Sequence, residues 1–157
     1  ERLAKTWWER GKVYGFDTFE AGHPKHLCED KFAFQTTCMD FWYGQYGMDK
    51  LAYDYQRQEY DKMGLTNVTL IKGEVHKDSC KDLPYINYAF LDMDLLVSMR
   101  NGYESVKDKI VKGGYLLMHD VYHNIPELSI WYETEVKPTG LWEVVEENSL
   151  TGVLRKI

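Results

Sequence analysis

The chain has 157 residues and a formal net charge of −6, with 44% hydrophobic residues. That length suits a single domain spanning 1–157, able to bury roughly 70% of its unfolded surface. The mildly acidic balance, without a basic patch, argues against a nucleic-acid partner, and no apolar run reaches the about 20 residues of a membrane span.

In chain order, "ERLAKTWWERG" reads as a helix ending at Gly11, and "KVYGF" as a short strand. "DTFEAGHPKH" is a polar loop with Gly and Pro. Cys28, Cys38 and Cys80 lack CxxC spacing and read as free thiols of a reducing, cytoplasmic compartment. The aromatic run "FWYGQYG" (41–47) suits core or interface packing, with an acceptor pocket as the other reading. "MDKLAYDYQRQEYDKMG" has helical spacing, with Gly64 as its stop. "NVTLIKG" is a β-branched strand ending at a glycine.

"YAFLDMD" is the next strand, followed by a helix over 97–111. "GGYLLMHD" reads as a buried strand opened by paired glycines. "PELSIWYETEV" reads as a helix with Pro126 in its first turn. "GLWEVVEE" and "TGVLRKI" close the chain as an antiparallel hairpin across an Asn-Ser turn. The fold class is therefore α/β, with a mainly parallel sheet and one antiparallel edge element.

Open α/β sheets bind ligands beyond the carboxyl ends of their strands. Asp17 follows "VYGF", Gly73-Glu74 follows "VTLIK", and Asp92 follows "YAFL", while a fourth strand ends at His119-Asp120. Each alone reads equally well as a polar strand terminus or helix cap. Four such ends gathered along one rim favour a site.

"VYGFDTFEAGHP", "LIKGEV" and "FLDMDLLVSMRNGYESVKDKIVKGGYLLMHD", in this order and spacing, resemble the class I S-adenosylmethionine-dependent methyltransferases. The nearest branch is that of the metal-dependent sugar O-methyltransferases of the macrocin type, with the cephalosporin-hydroxylase-like group alongside. The resemblance implies a Rossmann-like sheet and S-adenosylmethionine as cofactor. It implies that Asp17 accepts the cofactor's ribose hydroxyls, with Phe19 in the same cofactor-binding stretch. It places Gly73 and Glu74 beside the adenine, and gives Asp92 both a cofactor-binding and a catalytic role.

Asp92 and Asp120 match the family's metal-binding acids, with His119 in the first position of the usual acidic pair. A divalent cation, Mg²⁺ or Mn²⁺, is the implied ion, and the imidazole tilts preference toward Mn²⁺, Fe²⁺ or Zn²⁺. His123, just past the pair, is the first candidate for general base and His119 the second. A solvated loop histidine is the competing reading of His123. Asp94 reads as the cap of the following helix. His23, His26 and His76 read as loop or surface residues.

Three departures from the family pattern stand out: His119, Val121, and the extra Ala in "EAGHP". A fourth is upstream, where nothing before Lys12 supplies the family's first strand and glycine-rich turn. In the family's sheet that strand lies between the "VYGF" and "AFLD" strands. The expectation, supported by a start at Glu1 instead of Met, is a fragment of a longer protein. The other readings are a partner strand filling the gap, or loss of the cofactor.

The expected function is metal-assisted O-methylation of a small hydroxylated, sugar-like acceptor, in a protein free to form homo-oligomers. The alternative is a non-catalytic α/β module that self-associates, or pairs with a partner, through an exposed sheet edge.

Overall fold

A computed structural model describes residues 11–19, 52–122 and 126–157. The expected first helix, Cys28, Cys38, His23, His26, the aromatic run 41–47 and His123 lie outside these residues. The chain divides after Glu74 into two compact units.

In the first unit, β1 (Val13–Asp17) and β2 (Val68–Lys72) pair in parallel, from Val13↔Val68 to Asp17↔Lys72. Helix α1 (Tyr53–Lys62) lies between them in sequence. Its end follows the sequence expectation. Gly64 adopts φ 69°, its N–H donates to the Asp61 carbonyl, and the Leu65 N–H donates to the Tyr60 carbonyl. That pair of bonds is the Schellman closure, which a left-handed glycine makes possible. Leu65 then turns inward and, with Val68, forms a small core against Val13, Tyr60, Met63 and Leu70. Arg57 reaches from α1 to the Val68 carbonyl at 2.8 Å, tying the helix to β2.

The second unit runs through β3 (Ile86–Leu91), α2 (Leu96–Val106), β4 (Ile110–Met118) and α3 (Pro126–Trp131). A π-helical turn (Tyr132–Val136) and a 3₁₀ turn (Lys137–Thr139) lead to β5 (Trp142–Glu147) and β6 (Gly152–Lys156). The strand order is β3-β4-β6-β5, with β3 and β4 parallel and β6 antiparallel to both β4 and β5. Parallel pairing of β3 with β4 and the C-terminal antiparallel hairpin are as expected, but among the described residues this sheet is mixed, with one parallel and two antiparallel pairings. The hairpin turn is built on Asn148, whose side-chain oxygen accepts the N–H groups of Leu150 and Thr151, both at 2.9 Å.

Alternation along the strands decides which face is covered. Ala89 and Leu91 of β3, Leu116 and Met118 of β4, and Leu154 of β6 are buried, as are Met99, Leu128, Tyr132 and Val136 from the helical segments. Tyr103 of α2 receives the Trp142 indole N–H at 3.1 Å and meets Trp131 edge-on. This satisfies the one polar atom a buried tryptophan carries.

Three expectations are corrected. The helix placed at 97–111 ends at Val106, because Lys109 already pairs with β3 through the Ile86 N–H and β4 starts at Ile110. The paired glycines do not open β4; they sit inside it, at a register shift between Ile86 and Tyr88. Gly113 has φ 80°, and a Cβ on Gly114 would lie 2.9 Å from the Asn87 carbonyl oxygen, so both positions of this bulge demand glycine. Finally, "PELSIWYETEV" is helical throughout but widens to π geometry after Trp131. Among the described residues, no strand joins the β1–β2 sheet to the four-stranded one.

Candidate active site

The register of β3 and β4 determines what meets at their ends. Leu91 pairs with Met118, and the ladder continues as the His119 N–H donates to the Leu91 carbonyl at 2.9 Å. Parallel pairing therefore sets Asp92 and His119 side by side at the carboxyl end of the sheet. Asp120 would normally point to the opposite face, since strand side chains alternate. It does not, because its backbone is left-handed, with φ 59°. Its carboxylate folds back toward the preceding imidazole.

The result is a convergent trio. His119 Nδ1 lies 3.0 Å from Asp120 Oδ2 and 3.3 Å from Asp92 Oδ1. Asp120 is the most enclosed of the three, its side chain 13% exposed, against 33% for His119 and 48% for Asp92. Phe90 closes one side, its ring edge-on to the imidazole at 6.3 Å.

Electrostatics match the geometry. Burial raises the Asp92 pKa, and the neighbouring acids Asp94 and Asp120 push the same way against the pull of His119. Burial lowers the His119 pKa, but the closeness of Asp120 and the charges of Asp92 and Asp94 outweigh it, and the net shift is upward. The upward shift of His119, carried by the surrounding carboxylates against burial, says that this corner favours added positive charge.

A divalent cation fits this donor set. The His119 Nδ1 atom is buried yet makes no hydrogen bond, despite two carboxylate oxygens within 3.3 Å. Ligand atoms from all three residues lie within 4.8 Å of one another. For bonds of about 2.1 Å, ligand atoms around one ion stand about 3.0 Å apart at right angles and about 3.4 Å apart in a tetrahedron. The two nitrogen–oxygen separations match that range.

Asp94 is not the helix cap expected of it. The N-cap position falls to Leu95, and Asp94 precedes it with a left-handed φ of 54°. It adds negative charge beside the trio instead. His76 is an exposed-loop residue whose N–H donates to Ser79 Oγ.

The other predicted residues cluster in the first unit. Asp17 ends β1, and its Oδ1 accepts the Phe19 N–H at 2.7 Å, an Asx turn that fixes the carboxylate. Phe19 is left-handed, with φ 54°, and meets Tyr53 edge-on at 5.2 Å. The Gly73 N–H donates to the Asp17 carbonyl at 2.9 Å, so the strand ends of β1 and β2 lie side by side. Gly73 has φ 145°, a conformation that only glycine adopts without strain, and Glu74 follows it. Asp17, Phe19 and Gly73 thus form one group, and Asp92, His119 and Asp120 form another. Sequence reasoning missed that a left-handed residue stands just past β1, β3 and β4 alike; the short acidic residues after apolar runs were the available signal.

No family model matches the sequence, and no curated protein does. Solved structures do. Over 98% of this chain, the O-methyltransferase NovP superposes with a TM-score of 0.69 at 17% identity; the chain spans 63% of that structure's length. CalS11, a calicheamicin methyltransferase, superposes over 98% of the chain and 66% of its own, with TM-score 0.57 and 18% identity. An rRNA methylase from Streptococcus thermophilus covers 93% of this chain and 74% of its own, with TM-score 0.55 and 15% identity. What these proteins share with the chain is a Rossmann-like α/β fold.

Proposed function

We propose that the protein is an S-adenosylmethionine-dependent O-methyltransferase, assisted by a divalent cation and acting on a small hydroxylated, sugar-like acceptor. One observation carries the reading: Asp92, His119 and Asp120 converge at the carboxyl ends of adjacent parallel strands, in a fold shared with the O-methyltransferases NovP and CalS11.

When bound, S-adenosylmethionine supplies an electrophilic methyl group, and a divalent cation supplies the Lewis acidity that makes an acceptor hydroxyl nucleophilic. The chain's own residues orient the reactants and hold protons. Asp92, His119 and Asp120 hold the cation, with the imidazole favouring Mn²⁺, Fe²⁺ or Zn²⁺ over Mg²⁺. Asp17 accepts the ribose hydroxyls, its carboxylate held by the Phe19 N–H. Phe19 offers an apolar surface beside it, and Gly73 and Glu74 border the adenine. In this reading Asp92 would also serve in cofactor binding. His123 takes the acceptor proton; His119 is the second choice, in the case where the two aspartates alone hold the cation.

Calorimetric titration with S-adenosylhomocysteine tests the reading. Saturable binding, weakened in Asp17→Ala, is expected; no heat of binding at millimolar ligand contradicts it. The competing reading is a non-catalytic module that self-associates through its sheet edge. It is favoured by β3, which among the described residues pairs only with β4 and leaves Phe90 49% exposed. It predicts concentration-dependent light scattering without cofactor binding.

A further inference from the structure

A polar cluster outside the ligand trio grips the chain on both sides of the His119-Asp120 pair. On the downstream side, Val121 is fully buried, and its carbonyl accepts the Ser129 hydroxyl at 2.6 Å. The Tyr122 hydroxyl lies 2.6 Å from Glu133 Oε1 and 2.8 Å from Glu147 Oε1. Its ring meets Tyr132 edge-on at 5.6 Å. Lys137 Nζ stands 3.0 Å from each of the same two carboxylate oxygens, so the cluster holds the charge that neutralises half of its own acid.

On the upstream side, fully buried Tyr132 donates to Glu147 at 3.1 Å and rests against Gly152. Gly152 is the β6 partner of Met118, the residue before His119. The two residues after Asp120 are therefore tied to α3, to the π-helical turn and to the end of β5, while the residue before the pair is braced through β6.

Such anchoring has a specific consequence. A left-handed aspartate is tolerated but not favoured over extended backbone, so the surroundings decide whether it persists. Asp120 is left-handed, and that conformation is what brings its carboxylate back to His119. Loosening the segment 121–122 lets Asp120 relax toward the extended alternation, which carries the carboxylate away from the imidazole.

We infer that Ser129 and the Tyr122 contacts to Glu133 and Glu147 are positioning residues, which hold the left-handed Asp120 turn and so set the affinity of the trio for a divalent cation. This rests on the metal reading given above. Supporting contacts outside a ligand set typically change metal affinity by about 10–100-fold.

The test is a Mn²⁺ titration of the chain, followed by the electron paramagnetic resonance signal of free Mn²⁺. Ser129→Ala is expected to weaken binding about tenfold, and Ser129→Thr, which keeps the hydroxyl, to restore it. Tyr122→Phe, a change at a partly exposed ring, is expected to weaken binding similarly and keeps the test decisive if Ser129→Ala fails to fold. Ser105→Ala is the matched control, since it removes a serine hydroxyl-to-carbonyl bond of the same kind, to Gly102 within α2, outside the elements that hold the turn. It should leave Mn²⁺ affinity unchanged. Wild-type binding with unaltered affinity in Ser129→Ala and Tyr122→Phe overturns the inference alone. Absence of saturable Mn²⁺ binding in the wild type overturns the metal reading with it.

Discussion

His119 Nδ1 lies 3.3 Å from Asp92 Oδ1, although they stand 27 positions apart in sequence (119 − 92), because Leu91 and Met118 pair in parallel immediately before them. The nitrogen in this trio sets the expected ion. Imidazole suits first-row transition ions, whereas Mg²⁺ selects oxygen ligands. His119→Asp, which makes the set all oxygen, is expected to lower affinity for Zn²⁺ or Co²⁺ at least tenfold and to improve relative binding of Mg²⁺. Competition calorimetry reads both changes. A variant with unchanged selectivity would place the imidazole outside the ligand set.

Asp17 separates a local role from a functional one. Asp17→Asn keeps an oxygen to accept the Phe19 N–H, so the turn and the fold should survive within about 0.5 kcal/mol. It removes the charge proposed to hold the ribose. Charged hydrogen bonds contribute about 1.5–3 kcal/mol, so binding of S-adenosylhomocysteine should weaken roughly 10–100-fold. Parallel calorimetry and urea unfolding check the pair of outcomes.

Tyr132 and Gly152 fit only because one of them has no side chain. A Cβ on Gly152 would lie 2.5 Å from the Tyr132 hydroxyl oxygen and 2.8 Å from its Cζ. Gly152→Ala must displace a fully buried ring or the β6 backbone. It is expected to destabilise the fold by about 1–3 kcal/mol, seen as a lower urea midpoint. Tyr132→Phe in the same background should recover part of the loss by removing the oxygen.

Acid sensitivity follows from Glu133 and Glu147. For Glu147, burial raises the pKa, but hydrogen bonds from Tyr122, Lys137 and Tyr132 outweigh it and hold it below the ordinary 4.5. Glu133 is lowered by Tyr122 first and then Lys137. With native pKa values below the unfolded ones, the folded state binds fewer protons. The stabilisation is therefore complete above the unfolded value and is lost as pH falls through the native value. Glu133 is 45% exposed, so water screens its share and Glu147 dominates. Unfolding followed from pH 6 to 3 should show a shallower loss of stability in Glu147→Gln than in the wild type.

Much of this was legible in the sequence. The β-branched and aromatic runs gave all six described strands, Gly64 gave the end of α1, and Asn148 gave the hairpin turn, because each depends on local chemistry. Asp92 and His119-Asp120 stood out as polar residues directly after apolar strands. What stayed hidden depends on tertiary context. The left-handed turns at Asp94 and Asp120 are conformations that a short polar side chain tolerates but does not announce. The bulge at Gly113-Gly114 reads as a strand boundary until β3 is laid beside it. The helical pattern runs on past Val106 because Lys107 and Asp108 are acceptable in a helix, and only pairing with β3 ends it. The Tyr122–Tyr132–Glu147 cluster joins residues up to 25 positions apart that no single-segment pattern links.

The proposed chemistry depends above all on Asp92, His119 and Asp120 sharing one ion. Crystals soaked in Mn²⁺ and measured at its absorption edge report this directly. A single strong anomalous peak is expected about 2.1 Å from His119 Nδ1 and from one carboxylate oxygen of each aspartate. A map with no peak there, or with manganese held elsewhere while the trio remains paired only to itself, would contradict it.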